Sequence, residues 1–183
     1  LCTQAIPDRC CIVLADPKLG FIQLLHEMFP VEHSVGIQPG ATVDPTAKVD
    51  PSATIYAGAV IGARCEIGPE SVLHPGVVLY PDTMIGARCV IHAGSVLGAD
   101  GFSFHPTAHG PVKVPQIGRV VVQDDVELGA NCCIDRAFLG ETRVGPGSKL
   151  DNLVHLGHNT ILGRHVIIAA ATAISGSVSL GDG

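Results

Sequence analysis

From Ile37 onward a branched aliphatic recurs at every sixth position: Ile37, Val43, Val49, Ile55, Ile61, Ile67, Leu73, Leu79, Ile85, Ile91 and Leu97. Ile, Leu and Val make up about 28% of the chain, so eleven successive matches at one phase have random odds of roughly one in a million. A period of six suits neither a helix, with its repeat of 3.6, nor a half-buried strand, with its repeat of two. It suits a parallel β-helix, in which each hexapeptide builds one short side of a coil and points its aliphatic inward.

The rhythm breaks after Leu97. It returns in a new phase at Val122, Leu128 and Ile134 and, after a four-residue insertion, at Val144, Leu150, Leu156, Leu162, Ile168, Ile174 and Leu180. The fourth residue after each aliphatic is usually small (Ala53, Ala59, Cys65, Ser71, Thr83, Cys89, Ser95, Cys132, Ser148, Thr160, Thr172), as expected of a second inward slot beside a tight corner. Gly often follows the aliphatic directly, as at Gly62, Gly68, Gly86, Gly129 and Gly157, which predicts corners with positive φ.

Residues 1–36 have a different grammar. Ile12-Val13-Leu14 predicts a short strand, and Asp16 an N-cap followed by Pro17 at the first helical position. Leu19, Ile22, Leu25, Met28 and Phe29 then fall at helical spacing. The expected organisation is the end of a truncated N-terminal α/β domain over 1–36, then an all-β solenoid over 37–183. The sequence stops at Gly183 in mid-rhythm, so a fragment is expected, because a solenoid needs a polar cap on its last coil.

Composition narrows the function classes. An apolar share of 46% with 15% charged residues fits a folded domain. A net charge of −6, no Trp, 4% aromatics and no basic run argue against nucleic-acid binding. Of the seven cysteines, Cys65, Cys89 and Cys132 fall in the small inward slot and the rest lack ligand-type spacing, so free thiols in a reducing compartment are expected. With neither a transmembrane stretch nor a signal sequence in this sequence, the expected location is cytoplasmic.

Departures from the repeat carry the candidate chemistry. The longest is the excursion over 99–118, a loop of a length usually tied to function. The second is Leu150-Asp151-Asn152-Leu153-Val154-His155-Leu156-Gly157-His158-Asn159-Thr160. There Leu150, Val154, Leu156 and Thr160 keep the inward slots, so His155 and His158 should face out.

In Gly101-Phe102-Ser103-Phe104, Lys113-Val114-Pro115-Gln116-Ile117-Gly118-Arg119, Ile134-Asp135-Arg136 and Leu150-Asp151-Asn152 followed by His158-Asn159, the chain resembles the UDP-3-O-acylglucosamine N-acyltransferases of lipid A biosynthesis. These are left-handed β-helix enzymes. The resemblance implies transfer of a 3-hydroxyacyl group from acyl carrier protein to the 2-amino group of UDP-3-O-acylglucosamine. It makes His158 rather than His155 the general base, and Asp151 the residue that orients it. An amine attacks only after losing its extra proton, which an imidazole is suited to accept. The resemblance also implies that 1–36 ends a uridine-binding domain. Ala137 and Gly157 stand where the family usually has Gly and Ala.

Coil arithmetic contributes separately. Three hexapeptides make a turn, so Gly176, eighteen positions after His158, should lie one strand spacing above it, about 4.8 Å away. Its N–H could then donate to the oxyanion of a tetrahedral intermediate, a role the family also gives a Gly amide. No metal or cofactor is called for, and no substrate-binding residue can be assigned. Three flat faces per coil, one rich in outward aliphatics, predict a homotrimer, and the family places its site between subunits. Lys113, Arg119, Arg136, Arg143, Lys149 and Arg164 form a candidate surface for the acidic carrier. Three rival readings are a UDP-N-acetylglucosamine O-acyltransferase, a γ-type carbonic anhydrase with zinc on His155, His158 and His165, and a non-enzymatic solenoid. The helix after Asp16 argues against the first, and the 99–118 excursion with Asp151-Asn152 against the second. Retention of His at 158 argues against the third.

Overall fold

Most hexapeptides fold as a two-residue strand whose second member is the ladder aliphatic, as in Thr54–Ile55, Val60–Ile61 and Glu66–Ile67. The computed structural model, which describes residues 1–31 and 33–183, stacks these strands into three seven-stranded parallel sheets, one per face of a left-handed β-helix. The first face runs from Gly36–Ile37 to Ile167–Ile168, the second from Thr42–Val43 to Ala173–Ile174, and the third from Lys48–Val49 to Ser179–Leu180.

Within a block the register step is eighteen residues, as in Ile55↔Leu73 and Leu156↔Ile174. It widens to thirty-seven across the excursion (Ile85↔Val122) and to twenty-two across the four-residue insertion (Val122↔Val144). The same stacking aligns the rings of Tyr56, His74 and His92, with centroids 5.2 and 4.9 Å apart.

The core is the aliphatic ladder. Ile55, Leu73, Ile91, Leu97, Leu128 and Leu156 are fully buried, and burial of such a side chain stabilises by about 1.5–3 kcal/mol. The small slot is filled as expected, by Ala53, Ala59, Cys65, Ser71, Cys89 and Cys132 among others. Several of its hydroxyls are satisfied across coils, Ser71 Oγ donating to the Gly86 carbonyl at 2.7 Å and Ser95 Oγ to that of Gly129 at 2.8 Å. Burial pushes the Cys65, Cys89 and Cys132 thiols up, which leaves them protonated. All seven cysteines are free.

Apart from Gly98, which takes φ +88° itself, the glycines after the aliphatics do a different job from the one expected. Positive φ falls two residues later, at Arg64, Glu70, Arg88, Asn131, Asn159 and their equivalents. At Gly68 the reason for glycine is space: a Cβ there would lie 2.6 Å from the Gly86 carbonyl of the next coil. Side chains at the positive-φ corners brace one coil to the next, as in the bidentate Arg64–Asp82 and Arg88–Asp125 pairs.

Residues 1–33 form a separate unit, and 34–183 hold the solenoid. In the first unit Asp16 caps the helix Pro17–Met28 by accepting from the Leu19 N–H at 2.9 Å. The strand expected at Ile12-Val13-Leu14 amounts to one parallel bridge, Val13 to Cys2. Among the described residues no helix is long and apolar enough to cross a membrane.

Candidate active site

The positive-φ corner decides how His158 is held. Leu156 turns into the core, and two residues later His158 projects at the corner between the second and third faces, with Asn159 after it at φ +61°. The Asn159 side chain is fixed from two sides by the four-residue insertion: Oδ1 accepts from the Phe138 N–H at 2.9 Å, and Nδ2 donates to the Leu139 carbonyl at 2.9 Å. These two bonds settle which end of the amide is oxygen.

Since Asn159 Oδ1 is the atom 3.1 Å from His158 Nδ1, that nitrogen must carry the proton. In a neutral ring Nε2 then keeps its lone pair, the arrangement a general base requires. Nε2 faces Gly176, where a Cβ would stand 2.7 Å from it. The main chain ties the same corner together, with the Ser177 N–H donating to the His158 carbonyl at 2.7 Å. His158 and Gly176 are thus brought together.

A second glycine completes the approach. A Cβ on Gly157 would fall 2.6 Å from the Gly176 amide nitrogen, so that amide rides directly over Gly157. Replacing Gly176 by Ala would put a methyl against the Nε2 lone pair at a backbone position with no left-handed strain. Gly176→Ala should lower kcat by about a hundredfold, the scale of a misplaced reacting group, with a melting temperature close to that of the natural chain. Unchanged turnover in that variant would show that Nε2 takes no part.

Asp151 is not beside His158. It follows Leu150 at the corner between the first and second faces, so within one chain the whole second face separates the two. Its Oδ1 accepts from the Asn152 backbone and side-chain N–H groups at 2.7 and 3.0 Å. The carboxylate that does face the histidines is Asp135, which follows Ile134 one coil below. Asp135 is 9% exposed, its Oδ2 lies 3.8 Å from His155 Nε2, and His155 and His158 both act electrostatically on its carboxyl. The sequence signal for it was available, since an acid stands directly after a ladder aliphatic where several other coils carry Gly.

Burial pushes the Asp135 carboxyl above the ordinary Asp range; the two imidazoles oppose that shift and the Asp100 carboxylate adds to it. A raised folded-state pKa means that the folded chain holds this proton more tightly than the unfolded one. The contribution to stability is therefore full below the ordinary Asp value, about 3.9, and is lost as pH rises through the folded value. Asp135→Asn removes this loss, so its melting temperature relative to the natural chain should be higher at pH 7 than at pH 4. Melting curves of both proteins over that range are the check.

The stem of the 99–118 excursion covers the same corner. A Cβ on Gly101 would lie 2.6 Å from His158 Cβ and 3.0 Å from Gln116 Oε1. The Ile117 and Gly118 N–H groups donate to the Phe138 and Ala137 carbonyls, each at 3.0 Å, so the two insertions meet over His158. The rest of the excursion is an antiparallel hairpin, Phe104–Thr107 with Gly110–Lys113.

Grooves lie elsewhere, among them one of about 670 Å³ on the third face, lined by Met84, Val121 and Asp124, and one of about 400 Å³ that takes in His92, Glu127, Asp151 and Asn152. Neither is lined by His158. Most of the basic residues considered as a carrier surface are engaged within the chain. Lys113 pairs with Asp100, Arg119 and Arg143 with Glu141, and Lys149 with Glu127, while Arg136 donates to the Gly98 and Pro81 carbonyls at 2.7 Å. His165 sits at the corner after the third face, away from His155, and among the described residues no three His, Cys, Asp or Glu side chains cluster as metal ligands.

Residues 64–99 match the bacterial transferase hexapeptide (six repeats) model. The UDP-3-O-acylglucosamine N-acyltransferase 1 of Gloeobacter violaceus is 46% identical over 91% of this chain and 54% of its own length. The UDP-3-O-acylglucosamine N-acyltransferase of Anaeromyxobacter sp. is 57% identical over 49% of the chain and 27% of its own length. The chain spans about half the length, or less, of the curated relatives it matches. Among solved structures, the UDP-N-acetylglucosamine O-acyltransferase of Moraxella catarrhalis superposes with a TM-score of 0.67 at 22% identity, covering 80% of this chain and 55% of that one. At that identity the likeness speaks for the fold alone.

Proposed function

Since the chain belongs to the UDP-3-O-acylglucosamine N-acyltransferase family, we propose that it forms an amide, moving a 3-hydroxyacyl group from acyl carrier protein to the 2-amino group of UDP-3-O-acylglucosamine in lipid A biosynthesis. The observation that carries this reading is the His158 tautomer: Nδ1–H is held by Asn159, and Nε2 opens toward Gly176.

In the proposed reaction the substrate amine attacks the thioester carbonyl while Nε2 takes a proton from the nitrogen. The Gly176 amide meets the developing oxyanion, and the imidazolium returns the proton to the departing thiol. The orienting part expected of Asp151 falls, within one chain, to Asn159. A cytoplasmic homotrimer fits this scheme, because His158 stands at an edge of the second face, where a neighbouring subunit would supply the missing wall of the cleft.

The test is an assay of the protein with UDP-3-O-acylglucosamine and either the 3-hydroxyacyl carrier protein or the matching coenzyme A thioester, following the amide by mass spectrometry. Amide formation with the carrier thioester is expected. Transfer only to a hydroxyl acceptor would replace the N-acyl reading with O-acylation, and transfer only from coenzyme A would remove the carrier protein.

A further inference from the structure

The stem of the excursion contains an unusual atom. Gln116 is 6% exposed, and its Oε1 is a buried side-chain oxygen with no hydrogen-bond partner. Its orientation is settled, because Nε2 donates to the Val114 carbonyl at 3.1 Å, and turning the amide over would set oxygen against oxygen. A buried acceptor left unpaired costs stability, and such groups in native proteins call for an explanation. Here the oxygen flanks the candidate base: Gln116 Oε1 and His158 Cγ are each 3.0 Å from the point where a Gly101 Cβ would be, and so no more than twice that distance apart. Neither ring nitrogen serves it, since Nδ1 is held by Asn159 and Nε2 faces Gly176.

The attacking group supplies what is missing. A neutral primary amine carries two N–H bonds. As the C–N bond forms and the C–S bond of the thioester breaks, one proton passes to His158 Nε2 and on to the leaving thiol, and the other stays on nitrogen. We propose that Gln116 Oε1 accepts a hydrogen bond from that retained N–H, and so makes the site prefer an amine over a hydroxyl. A hydroxyl surrenders its only proton to His158 and leaves Oε1 unpaired, and a site built to bond a substrate N–H discriminates strongly against an analogue lacking it. Gly101 closes over Oε1 in the structure, and the stem turns at Gly98, where φ is +88°. Displacement of the Gly101 limb by the acceptor sugar, with the Gln116 limb held by the Ile117 and Gly118 bonds to Phe138 and Ala137, uncovers the oxygen and the imidazole together. The inference rests on the N-acyl reading and adds the residue that selects nitrogen.

The test compares the natural protein with Gln116→Met, which keeps the bulk but removes the acceptor, and Gln116→Glu, which keeps an oxygen. Each is assayed on the amine substrate and on its counterpart with a hydroxyl at the same carbon, and melting curves report folding. Gln116→Met should lose about tenfold to a hundredfold in kcat/KM for the amine, with the hydroxyl rate unchanged. Gln116→Glu should retain the preference for the amine. An equal fall on both acceptors would make Gln116 a packing residue, and no change on either would mean that a buried water serves Oε1; each result overturns the proposal. Should Gln116→Met fail to melt cooperatively, loss of amine preference in a folded Gln116→Glu would overturn it as well. A natural protein that forms no amide at all removes the functional reading itself, which the variants do not address.

Discussion

His158→Ala is expected to lower amide formation by about a hundredfold to ten-thousandfold, the usual contribution of a positioned base, with a melting temperature near that of the natural chain. The ring is only partly buried and lies outside the ladder, so its removal opens no core cavity. What disappears is the one acceptor whose state the surroundings dictate. Asn159 Oδ1 is locked by Phe138 and Leu139, the proton is thereby confined to Nδ1, and Nε2 is left facing Gly176. Steady-state rates on the amine substrate together with circular-dichroism melts would check both halves. Activity within tenfold of the natural protein would show that another group takes the proton, and His155, whose Nε2 lies 3.8 Å from Asp135 Oδ2, would be the one to examine.

Leu156→Ala should destabilise the solenoid by about 2–5 kcal/mol, the range for a large-to-small change in a core that cannot collapse. Leu156 is fully buried and stacks between Ile134 below and Ile174 above, and Val154 and Thr160 of the same coil are buried too. The coil walls are hydrogen-bonded sheets, which resist closing over a void. In a solenoid each coil is held mainly by its neighbours, so the loss is concentrated in the two interfaces that Leu156 joins. Because the same strand, His155–Leu156, precedes His158, amide formation should become heat-labile at the temperature where unfolding begins. A shift in the denaturant midpoint equivalent to less than about 1 kcal/mol would mean that the coil relaxes into the space.

The fold was legible because one physical demand repeats. A narrow triangular coil has room for one large aliphatic and one small residue per side, and that demand stamps a six-residue period on the chain whatever the outward residues are. The two breaks in phase gave the insertion lengths, and with them the register steps of thirty-seven and twenty-two seen at Ile85↔Val122 and Val122↔Val144. Stacking of Gly176 over His158 followed from the same arithmetic. The glycines were read less well: both a positive φ and a close backbone approach select Gly, and a sequence does not say which. At Gly68 it is the approach, while Glu70, two residues on, takes the positive φ.

The surroundings of His158 lay beyond that arithmetic. Periodicity fixes which coil and which face a residue occupies, but not how insertions cross the surface. Phe138 and Leu139, in an insertion that reads only as a slip in phase, hold Asn159. Gln116, forty-two positions before His158, packs beside it through the stem of a loop. Asp151 and His158 are seven positions apart in the chain and a full face apart in space, whereas Asp135 is twenty-three positions away and electrostatically in contact. By itself the sequence determined the ladder, the three faces, the register and the outward direction of His155 and His158, since all of these follow from burying aliphatics at a fixed period. Only the tertiary structure decided which imidazole nitrogen is free, which carboxylate faces it and which buried oxygen lacks a partner, because those depend on side chains meeting across coils whose spacing the insertions reset.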